Sequence, residues 1–491
     1  MGLPSKIQFV GLAITTASLP WSEFGTSLGM GLLALSWVVA LVTKTTIRPK
    51  HKLLTISLLI CFGWCALSLL WSENTVEGLS ALKILLPVLI IPLSLFCVPL
   101  LKNTLKFGIK ILIISTFFAA IAGLINGHFL EIGKFSPFIS HIRMGLILAL
   151  CLGLSILEKK RIFSILFGGV AIASVWFTQS ITGIGMIAFA IFYSAIALAI
   201  PKYKTQTILL ALLTVAFGSA WLFKSLMPTP FTGTPEELTP WGNPYIHYPE
   251  KHLEENGNKV NMYLAYNEMR PKWNKVSKIP YDSLDANGFP IESTLTRYLT
   301  SLGKPKNGAQ IQELSSDDIR NIENGHTSIR MSTHSGLNLR IDALRFELGN
   351  YLDDGNPNGN SVTMRLEAFK AGRYLISSNG IIVVLFGVGV GDIHDNIKNS
   401  YSEIGSRLQS ENWKRTHNQY LAWWIGCGLL GLCILFVVLY SSWISTHGAL
   451  KLAWWIIVLS CIAEDTLETQ AGVTFSMLSL CLFTLVPKKR N

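Results

Sequence analysis

Twelve apolar runs dominate this 491-residue chain and restrict the folds that are open to it. A transmembrane helix needs about 20 apolar residues, because it rises about 1.5 Å per residue through a hydrocarbon core of about 30 Å. Half of the residues are hydrophobic and only 14% are charged, which is typical of a membrane protein. The runs lie at about 7–20, 25–42, 53–72, 79–100, 107–126, 142–157, 162–179, 183–200, 206–225, 419–440, 450–463 and 472–486. We predict an all-α polytopic membrane protein with about twelve transmembrane helices.

The basic residues predict how these helices are oriented. With both termini in the cytoplasm, the inner helix ends collect 17 Lys or Arg, including the terminal cluster Lys488–Arg490, against one acid, Glu158. This arrangement obeys the positive-inside rule, and the opposite orientation violates it. The overall charge of +11 therefore reflects membrane topology, and it does not predict a nucleic-acid-binding surface.

The same topology divides the chain into three parts. Residues 1–225 hold predicted helices one to nine, and residues 419–491 hold helices ten to twelve with a short cytoplasmic tail. Between them, residues 226–418 form a large outward-facing loop domain, which is periplasmic if the cell has an outer membrane. Its 20 basic and 22 acidic residues nearly cancel. Short helices are predicted at 292–302 and 315–323, and longer ones at 336–349 and 361–377.

A glycine-rich loop follows the second of these longer helices. The apolar stretch 381–386 is too short to span a membrane, so a buried strand or a dip into the interface is expected. The sequence Gly387-Val388-Gly389-Val390-Gly391-Asp392 comes next and has the look of a phosphate-binding loop, but no helical pattern is evident after it. We interpret the glycines as a tight turn that lets the backbone pass close to the helix bundle.

His417 is the strongest candidate for a catalytic residue. It ends the polar cluster that precedes the tenth apolar run, so we expect it in the first turn of a membrane helix at the water interface. A helix N-terminus attracts anions and disfavours the imidazolium form, and a neutral imidazole beside an anion can act as a general base. The simpler alternative is an interface histidine that anchors a helix end.

Four cations and two further polar groups form a possible anion site around it. Arg365 and Arg373 lie about two turns apart and are predicted to share a face, Arg143 begins the sixth run, and Lys83 lies near the outer end of the fourth. Asn418 and His141 are possible supporting residues. Snorkelling for Arg143 and Lys83, and a structural salt bridge for Arg365, are the simpler alternatives. The acids Glu464, Asp465 and Glu468 are expected to pair with some of these cations.

No cofactor or metal site is predicted. No acidic triad for a divalent metal stands out, and all eight cysteines lie in apolar runs, where helix packing is the expected role. Arginine forks and a tunable histidine at one membrane face suit a pyrophosphate headgroup whose lipid tail lies in the bilayer.

The chain resembles the O-antigen ligase and O-antigen polymerase superfamily of bacterial envelope glycosyltransferases, in its Bacteroidetes-type branch. The resemblance rests on the segment from Arg365 to Gly372 leading to the glycine loop, on His417-Asn418-Gln419-Tyr420-Leu421, and on the predicted twelve-helix layout. One departure is visible: Ser180-Ile181-Thr182-Gly183 lacks the arginine that many members carry there. Lys83 or Arg143 would have to replace that phosphate contact.

The resemblance implies an inverting, metal-independent transfer of a glycan from undecaprenyl pyrophosphate to a sugar hydroxyl, in the bacterial inner membrane. It implies that His417 takes the acceptor proton, and that Arg365, with Arg143 by position, holds the pyrophosphate. In a ligase the acceptor is the lipid A core of lipopolysaccharide.

Two groups of alternatives stay open. A polymerase or a protein O-oligosaccharyltransferase of the same superfamily shares the donor and differs only in the acceptor. A transporter or flippase belongs to another class and predicts internal repeats, broken helices and charges at mid-membrane depth, none of which is clear in the sequence.

Overall fold

The computed structural model describes residues 2–129, 139–178, 180–227, 230–333, 337–358 and 361–486. The predicted basic cluster at 488–490 and single residues of two predicted elements, 179 and 336, lie outside these ranges. The chain forms two compact units. The first comprises Met1–Leu212, Arg365–Ser406 and Ser410–Asn491, and the second comprises Leu213–Met364 and Arg407–Gln409. Residues 365–406 and 410–418 therefore group with the apolar helices and not with the rest of the predicted loop domain.

A helix lies at each of the twelve predicted apolar runs. The first nine are α1 (Leu3–Ser18), α2 (Glu23–Val42), α3 (Lys52–Leu67, extended by a 3-10 turn at Ser68–Leu70), α4 (Thr75–Cys97), α5 (Thr104–Phe129), α6 (His141–Leu157), α7 (Arg161–Thr178), α8 (Ile181–Leu198) and α9 (Lys204–Leu226, after a 3-10 turn at Pro201–Tyr203).

The remaining elements follow in chain order. They are β1 (Glu254–Glu255), β2 (Asn258–Lys259), α10 (Tyr266–Val276), α11 (Ile291–Ser301), α12 (Gly308–Gln312), α13 (Ser316–Glu323), α14 (Arg330–Thr333), α15 (Leu337–Asp354), α16 (Ser361–Ser378), α17 (Ile381–Phe386), α18 (Ile393–Glu403), α19 (Gln419–Ser445), α20 (Lys451–Ala463) and α21 (Gln470–Leu485). Further 3-10 turns lie at Ser410–Asn412, Gly448–Leu450 and Thr466–Glu468.

Eight of the described helices are long and apolar enough to cross a membrane: α2, α3 with its 3-10 turn, α4, α5, α7, α8, α9 and α19. The helices α6, α20 and α21 are apolar but shorter. The chain is thus a mainly helical, membrane-embedded protein.

Small residues allow close packing in the first unit. A side chain at Gly29 of α2 would collide with Thr15 of α1, and one at Gly11 of α1 would meet the backbone of α2. Close packing of this kind drives helix association in a membrane, because lipid is as apolar as the helix surfaces and the hydrophobic effect gives no driving force. Other close pairs are α6 with α8, α3 with α19 and α4 with α21. Many large apolar side chains of this unit are exposed, Phe24 and Phe118 among them, as a lipid-facing surface requires.

The second unit has its own aromatic core. Trp273, Tyr281 and Tyr298 are fully buried between α10 and α11 and the segment that joins them. The predicted helices at 292–302 and 315–323 are confirmed as α11 and α13, and Ser315 with Asp318 forms a capping box before α13. The predicted end of α15 near Gly349 is wrong. The helix continues to Asp354, and Gly349 allows the backbone at His252 to approach closely.

The helix α16 confirms the predicted element at 361–377. Ala368, Ala371 and Leu375 are buried, whereas Leu366 and Phe369 are exposed. Residues eight positions apart on a helix diverge by about 80°, because each residue turns about 100°. Arg365 is accordingly half-buried and Arg373 is exposed, so the predicted shared face is wrong.

The stretch 381–386 is the short helix α17, so the strand is wrong of the two predicted alternatives, a buried strand or a dip into the interface. The expectation that no helix follows the glycine loop is also wrong, because α18 begins at Ile393. The interpretation of the loop itself is confirmed. The backbone N–H groups from Gly387 to Gly391 all donate to protein acceptors, which are the carbonyls of Val383, Ile425 and Gly426 and the hydroxyls of Ser68 and Ser72. None of these five N–H groups is left for a phosphate.

The glycine loop packs into a break in α19. Gly428 has a φ of 71° and a ψ of −178°, which interrupts the helix. Val388 N and Gly389 N donate to Ile425 O at 2.8 Å and to Gly426 O at 3.0 Å, and Trp64 Nε1 donates to Cys427 O at 2.8 Å. These bonds satisfy carbonyls beside the break, where no water is at hand in a bilayer. The sequence did not reveal this broken helix.

Candidate functional site

The site is organised by the segment 464–469 between α20 and α21, called the acidic loop below. Two of its carboxylates, Glu464 and Asp465, are 7% and 6% exposed, and Glu468 is partly buried. Burying carboxylates is costly unless hydrogen bonds or cations compensate. Each of these acids is bonded to a residue of α16 or of the segment that precedes α19, so the loop joins the groups that the sequence predicts at the outer membrane face.

His417 lies directly against the acidic loop. Its backbone N–H donates to Asp465 Oδ2 at 3.1 Å, and the Thr416 hydroxyl donates to Asp465 Oδ1 at 3.4 Å. The expected position in the first helical turn is wrong by two residues. Asn418 is the N-cap of α19, since its Oδ1 accepts from Leu421 N at 2.9 Å, and His417 precedes it with a φ of 52°. A left-handed backbone is uncommon for a residue with a Cβ and marks a constrained position.

Burial keeps the His417 imidazole uncharged. Desolvation, reinforced by the positive charges of Arg365, Lys414 and Arg415, lowers its pKa to about 4. The ring is therefore neutral at physiological pH. Desolvation, which the sequence did not reveal, and the neighbouring cations account for this shift.

Asp465 departs from its ordinary titration in the opposite direction. Burial, with the nearby charge of Glu468, raises the pKa of this carboxyl to about 7. A group that titrates near neutral pH beside a neutral histidine is a second candidate for proton transfer. From the sequence, Asp465 is expected only to pair with a cation. The available signal was an acid pair placed between two apolar runs.

Arg365 forms an ion pair with Glu464. The pairing with the acidic loop was predicted, and burial raises the pKa of Glu464 while Arg365 and Arg143 oppose that shift. Among the described residues Arg365 bonds only through Nη2, so its other guanidinium N–H groups are open to a ligand in that part of the chain. Arg373 is exposed and does not join this group.

Arg143 reaches the same loop from α6. Its Nε donates to Thr469 Oγ1 at 2.6 Å, and that hydroxyl also caps α21 by accepting from Gly472 N at 3.3 Å. His141 is exposed and lies within electrostatic reach of both Arg143 and Arg365. The structure thus brings two predicted cations and His417 together.

Arg415 is a third cation of the site, and it was not predicted from the sequence. Its Nη1 lies 3.4 Å from Glu468 Oε2 and donates to Glu468 O at 3.0 Å. Gln419 holds the same loop, since its Oε1 accepts from Leu467 N at 2.5 Å. A cavity of about 110 Å³ opens beside Arg415 and Glu468, although Arg143, Arg365 and His417 do not line it.

Lys83 is not brought to this group. It is exposed on α4 and lies outside the lining of the cavity beside Arg415. The alternative of a snorkelling lysine therefore accounts better for its position. Within the described residues no cluster of three or more His, Cys, Asp or Glu is arranged to hold a metal ion.

Comparison with protein-family models and with curated proteins finds no match to this chain. The resemblance to the O-antigen ligase and polymerase superfamily therefore remains a prediction from sequence motifs and helix layout. What the geometry provides is a neutral imidazole, a carboxyl that titrates near neutral pH, and arginine N–H groups with spare hydrogen-bonding capacity. This combination can bind an anionic group and accept a proton beside it.

Proposed function

We propose that this protein is a membrane glycosyltransferase of the O-antigen ligase type, which moves a glycan from undecaprenyl pyrophosphate to a sugar hydroxyl of the lipid A core. The observation that carries the proposal is the placement of the uncharged His417 imidazole within electrostatic reach of Arg365 and against the acidic loop, which also binds Arg143. Glycan transfer from a pyrophosphate needs both a base for the acceptor hydroxyl and cations for the leaving group.

In this mechanism the acceptor hydroxyl attacks the anomeric carbon of the donor sugar with inversion. The C–O bond to the pyrophosphate breaks, the hydroxyl proton passes to His417, and the lipid pyrophosphate leaves with the electron pair. Free N–H groups of Arg365 and Arg143 stabilise the charge on that leaving group. No metal takes part in these steps.

The bound donor would also tune the base. Desolvation, with Arg365 and two further cations nearby, lowers the pKa of His417 to about 4, which makes it a weak proton acceptor. A pyrophosphate placed among these cations would oppose their potential and raise that pKa towards neutral pH. His417 would then act as a base only when the donor is present. Asp465, whose pKa is about 7, is placed to accept the proton if His417 does not.

The proposal includes the finer topology. Twelve helices would cross the bacterial inner membrane, with both termini cytoplasmic and the segment between α9 and α19 periplasmic. It is supported by the meeting of Arg143 at the start of α6 with Thr469 at the start of α21. Both ends are predicted on the outer side. The outer segment would help to select the acceptor.

An O-antigen polymerase and a protein O-oligosaccharyltransferase use the same donor chemistry and remain alternatives. A transporter or flippase is favoured by one observation, the broken helix α19 at Gly428, because transporters use discontinuous helices to form binding sites. Here, however, the carbonyls beside the break are bonded to the glycine loop and to Trp64 and are not available to a substrate.

A deletion strain complemented with His417→Ala tests the proposal. The glycan pattern of its lipopolysaccharide should match that of the deletion, while membrane levels of the variant stay normal. The exposed His447, at the other end of α19, offers the matched control His447→Ala, which should restore attachment. Long unattached chains on the carrier lipid indicate a ligase, and single repeats on the core indicate a polymerase. A wild-type pattern with His417→Ala would refute the catalytic role.

A further inference from the structure

A large groove lies apart from the acidic loop, between the N-terminal end of α4 and the helices α17 and α18. It encloses about 920 Å³, and none of its lining residues is Lys, Arg or His. Its lining is Trp71, Glu73, Asn74, Thr75, Val76, Asn379, Ile382, Val383, Phe386, Gly387, Val388, Asp392, Asp395, Asn396 and Asn399. The groove therefore repels anions, and the pyrophosphate site proposed above cannot extend into it.

One wall of the groove is a polar stripe along α18. Asp392, Asp395, Asn396 and Asn399 recur at the spacing of one helix face, while Ile397 and its neighbours on the opposite face are buried. Polar side chains at this spacing normally face bulk water. Here they line a concave groove, which holds their hydrogen-bonding groups in a defined arrangement.

Several of these groups have no partner within the described part of the chain. Asp392 is already bonded, since its carboxylate accepts from Glu73 N and Asn74 N at 2.8 Å each. The side chains of Asp395, Asn399 and Glu73 make no hydrogen bond or ion pair among the described residues. A carboxamide offers both donors and acceptors, and a carboxylate accepts up to four hydrogen bonds. The stripe can thus bind a ligand that carries closely spaced hydrogen-bond donors and acceptors.

The opposite wall is apolar and aromatic. Ile382, Val383 and Phe386 come from α17, and Trp71 lies edge-on to Phe386 with a ring-centroid distance of 6.4 Å. Phe386 and Ile382 are substantially exposed, so their surfaces are open to a ligand. A groove with an aromatic wall and a carboxamide wall matches a pyranose ring, which has an apolar face and a hydroxyl-bearing edge.

We propose that this groove binds a segment of an oligosaccharide whose sugars are neutral or amino-substituted. The absence of basic lining residues and the presence of Glu73 and Asp395 exclude acidic sugars by charge repulsion. The idea rests on the proposed function in that a glycan is the substrate, and it assigns to the groove the recognition of sugars away from the pyrophosphate.

Binding of labelled oligosaccharides to the purified full-length protein in detergent tests the groove without requiring transfer. The probes are a neutral β-glucan fragment, a chito-oligosaccharide and an oligogalacturonide. The double variant Asp395→Ala/Asn399→Ala removes two groups that have no described partner. The matched control is Ser402→Ala/Glu403→Ala, which changes two exposed residues of the same helix that do not line the groove.

The neutral or amino-sugar probe should bind the wild type and the control equally, and it should bind the groove variant about tenfold more weakly, as expected for losing hydrogen bonds to two side chains. Any of three results would overturn the proposal. The probe could bind the groove variant and the control variant equally, the protein could prefer the acidic probe, or binding could be lost when calcium is chelated.

The His417→Ala protein separates this proposal from the catalytic one. It should bind the same probe as tightly as wild type if the groove is a binding site. If wild-type protein proves not to transfer glycans but the probe still depends on Asp395 and Asn399, the proposed function fails and the groove stands. If transfer is confirmed but neither neutral nor amino-sugar probe binds, the groove assignment fails alone.

Discussion

The backbone N–H of His417 donates to Asp465 across 3.1 Å, with His417 in the left-handed region at a φ of 52°. The bond ties the residue before α19 to the loop between α20 and α21. Because the acceptor is a nearly buried carboxylate, its charge state affects both the stability of the site and the position of the imidazole.

Asp465→Asn should make stability less dependent on pH. The folded-state pKa of Asp465 is about 7 against an ordinary 3.8, so the folded protein keeps a proton that the unfolded chain has lost between these values. Wild-type stability must therefore fall as pH rises through this window. Asparagine keeps an oxygen for the His417 N–H and removes the charge. The gain in melting temperature over wild type should be smallest near pH 4 and largest above pH 7.

Thermal unfolding in detergent across a pH series measures this gain. Asp395→Asn is the control, because it changes an exposed carboxylate on α18 in the same way. A pH trend of equal size in both variants would contradict the assignment to Asp465.

Arg365→Lys should impair glycan transfer although the charge is kept. A lysine has a compact ammonium group, which cannot contact Glu464 and a phosphate with the geometry of a guanidinium fork. Losing a charge-assisted hydrogen bond costs about 1.5–3 kcal/mol, or roughly tenfold to a hundredfold in rate. Arg373→Lys on the exposed side of α16 should leave transfer unchanged.

Transfer of a labelled glycan in membranes from each Arg365 and Arg373 variant measures the effect. If Arg365→Lys and Arg373→Lys are both fully active, Arg365 is a structural residue only.

Gly428→Ala should destabilise the break in α19. Gly428 has a φ of 71°, and a Cβ there would collide with the carbonyl of Leu385. Strain of this kind costs about 1–3 kcal/mol, before any cost of the collision. Gly185→Ala in α8 is the matched control, since the added carbon meets no atom within 4 Å apart from its chain neighbours and the adjacent backbone of its own helix. It should be neutral or stabilising by up to about 1 kcal/mol. A fluorescence-detected melting curve of each detergent-solubilised variant measures the effect. Equal melting temperatures for the two variants would contradict the break in α19 at Gly428.

Asp392→Ala should lower stability far more than Asp395→Ala. Asp392 is buried and accepts from the backbone N–H groups of Glu73 and Asn74, which precede α4, whereas Asp395 is exposed. Removing the acceptor leaves two N–H groups without a partner, at about 1–3 kcal/mol each. The same melting assay compares the two variants, and a similar small loss in both would show that these bonds contribute little.

Much of the membrane architecture follows from the amino-acid sequence alone. Helices lie at all twelve apolar runs, because a lipid-exposed backbone must satisfy its hydrogen bonds within its own segment and a helix does so. About 20 apolar residues in a helix are enough to cross the hydrocarbon core. The short helix predicted at 315–323 is found as α13, whose start is fixed locally by the capping box of Ser315 and Asp318. The pairing of cations with the acidic loop was also expected, since the bilayer leaves buried charges few other partners.

Only the tertiary structure decided which residues meet and what their chemistry is. The lining of the α18 groove, the break at Gly428 and the pKa of Asp465 depend on groups that are distant in sequence. Lys83 and Arg373 carried the same sequence signal as Arg143 and Arg365, yet the first two are exposed while the second pair contacts the acidic loop. Periodicity describes one helix at a time, whereas desolvation and charge pairing are set by what several helices place around a side chain.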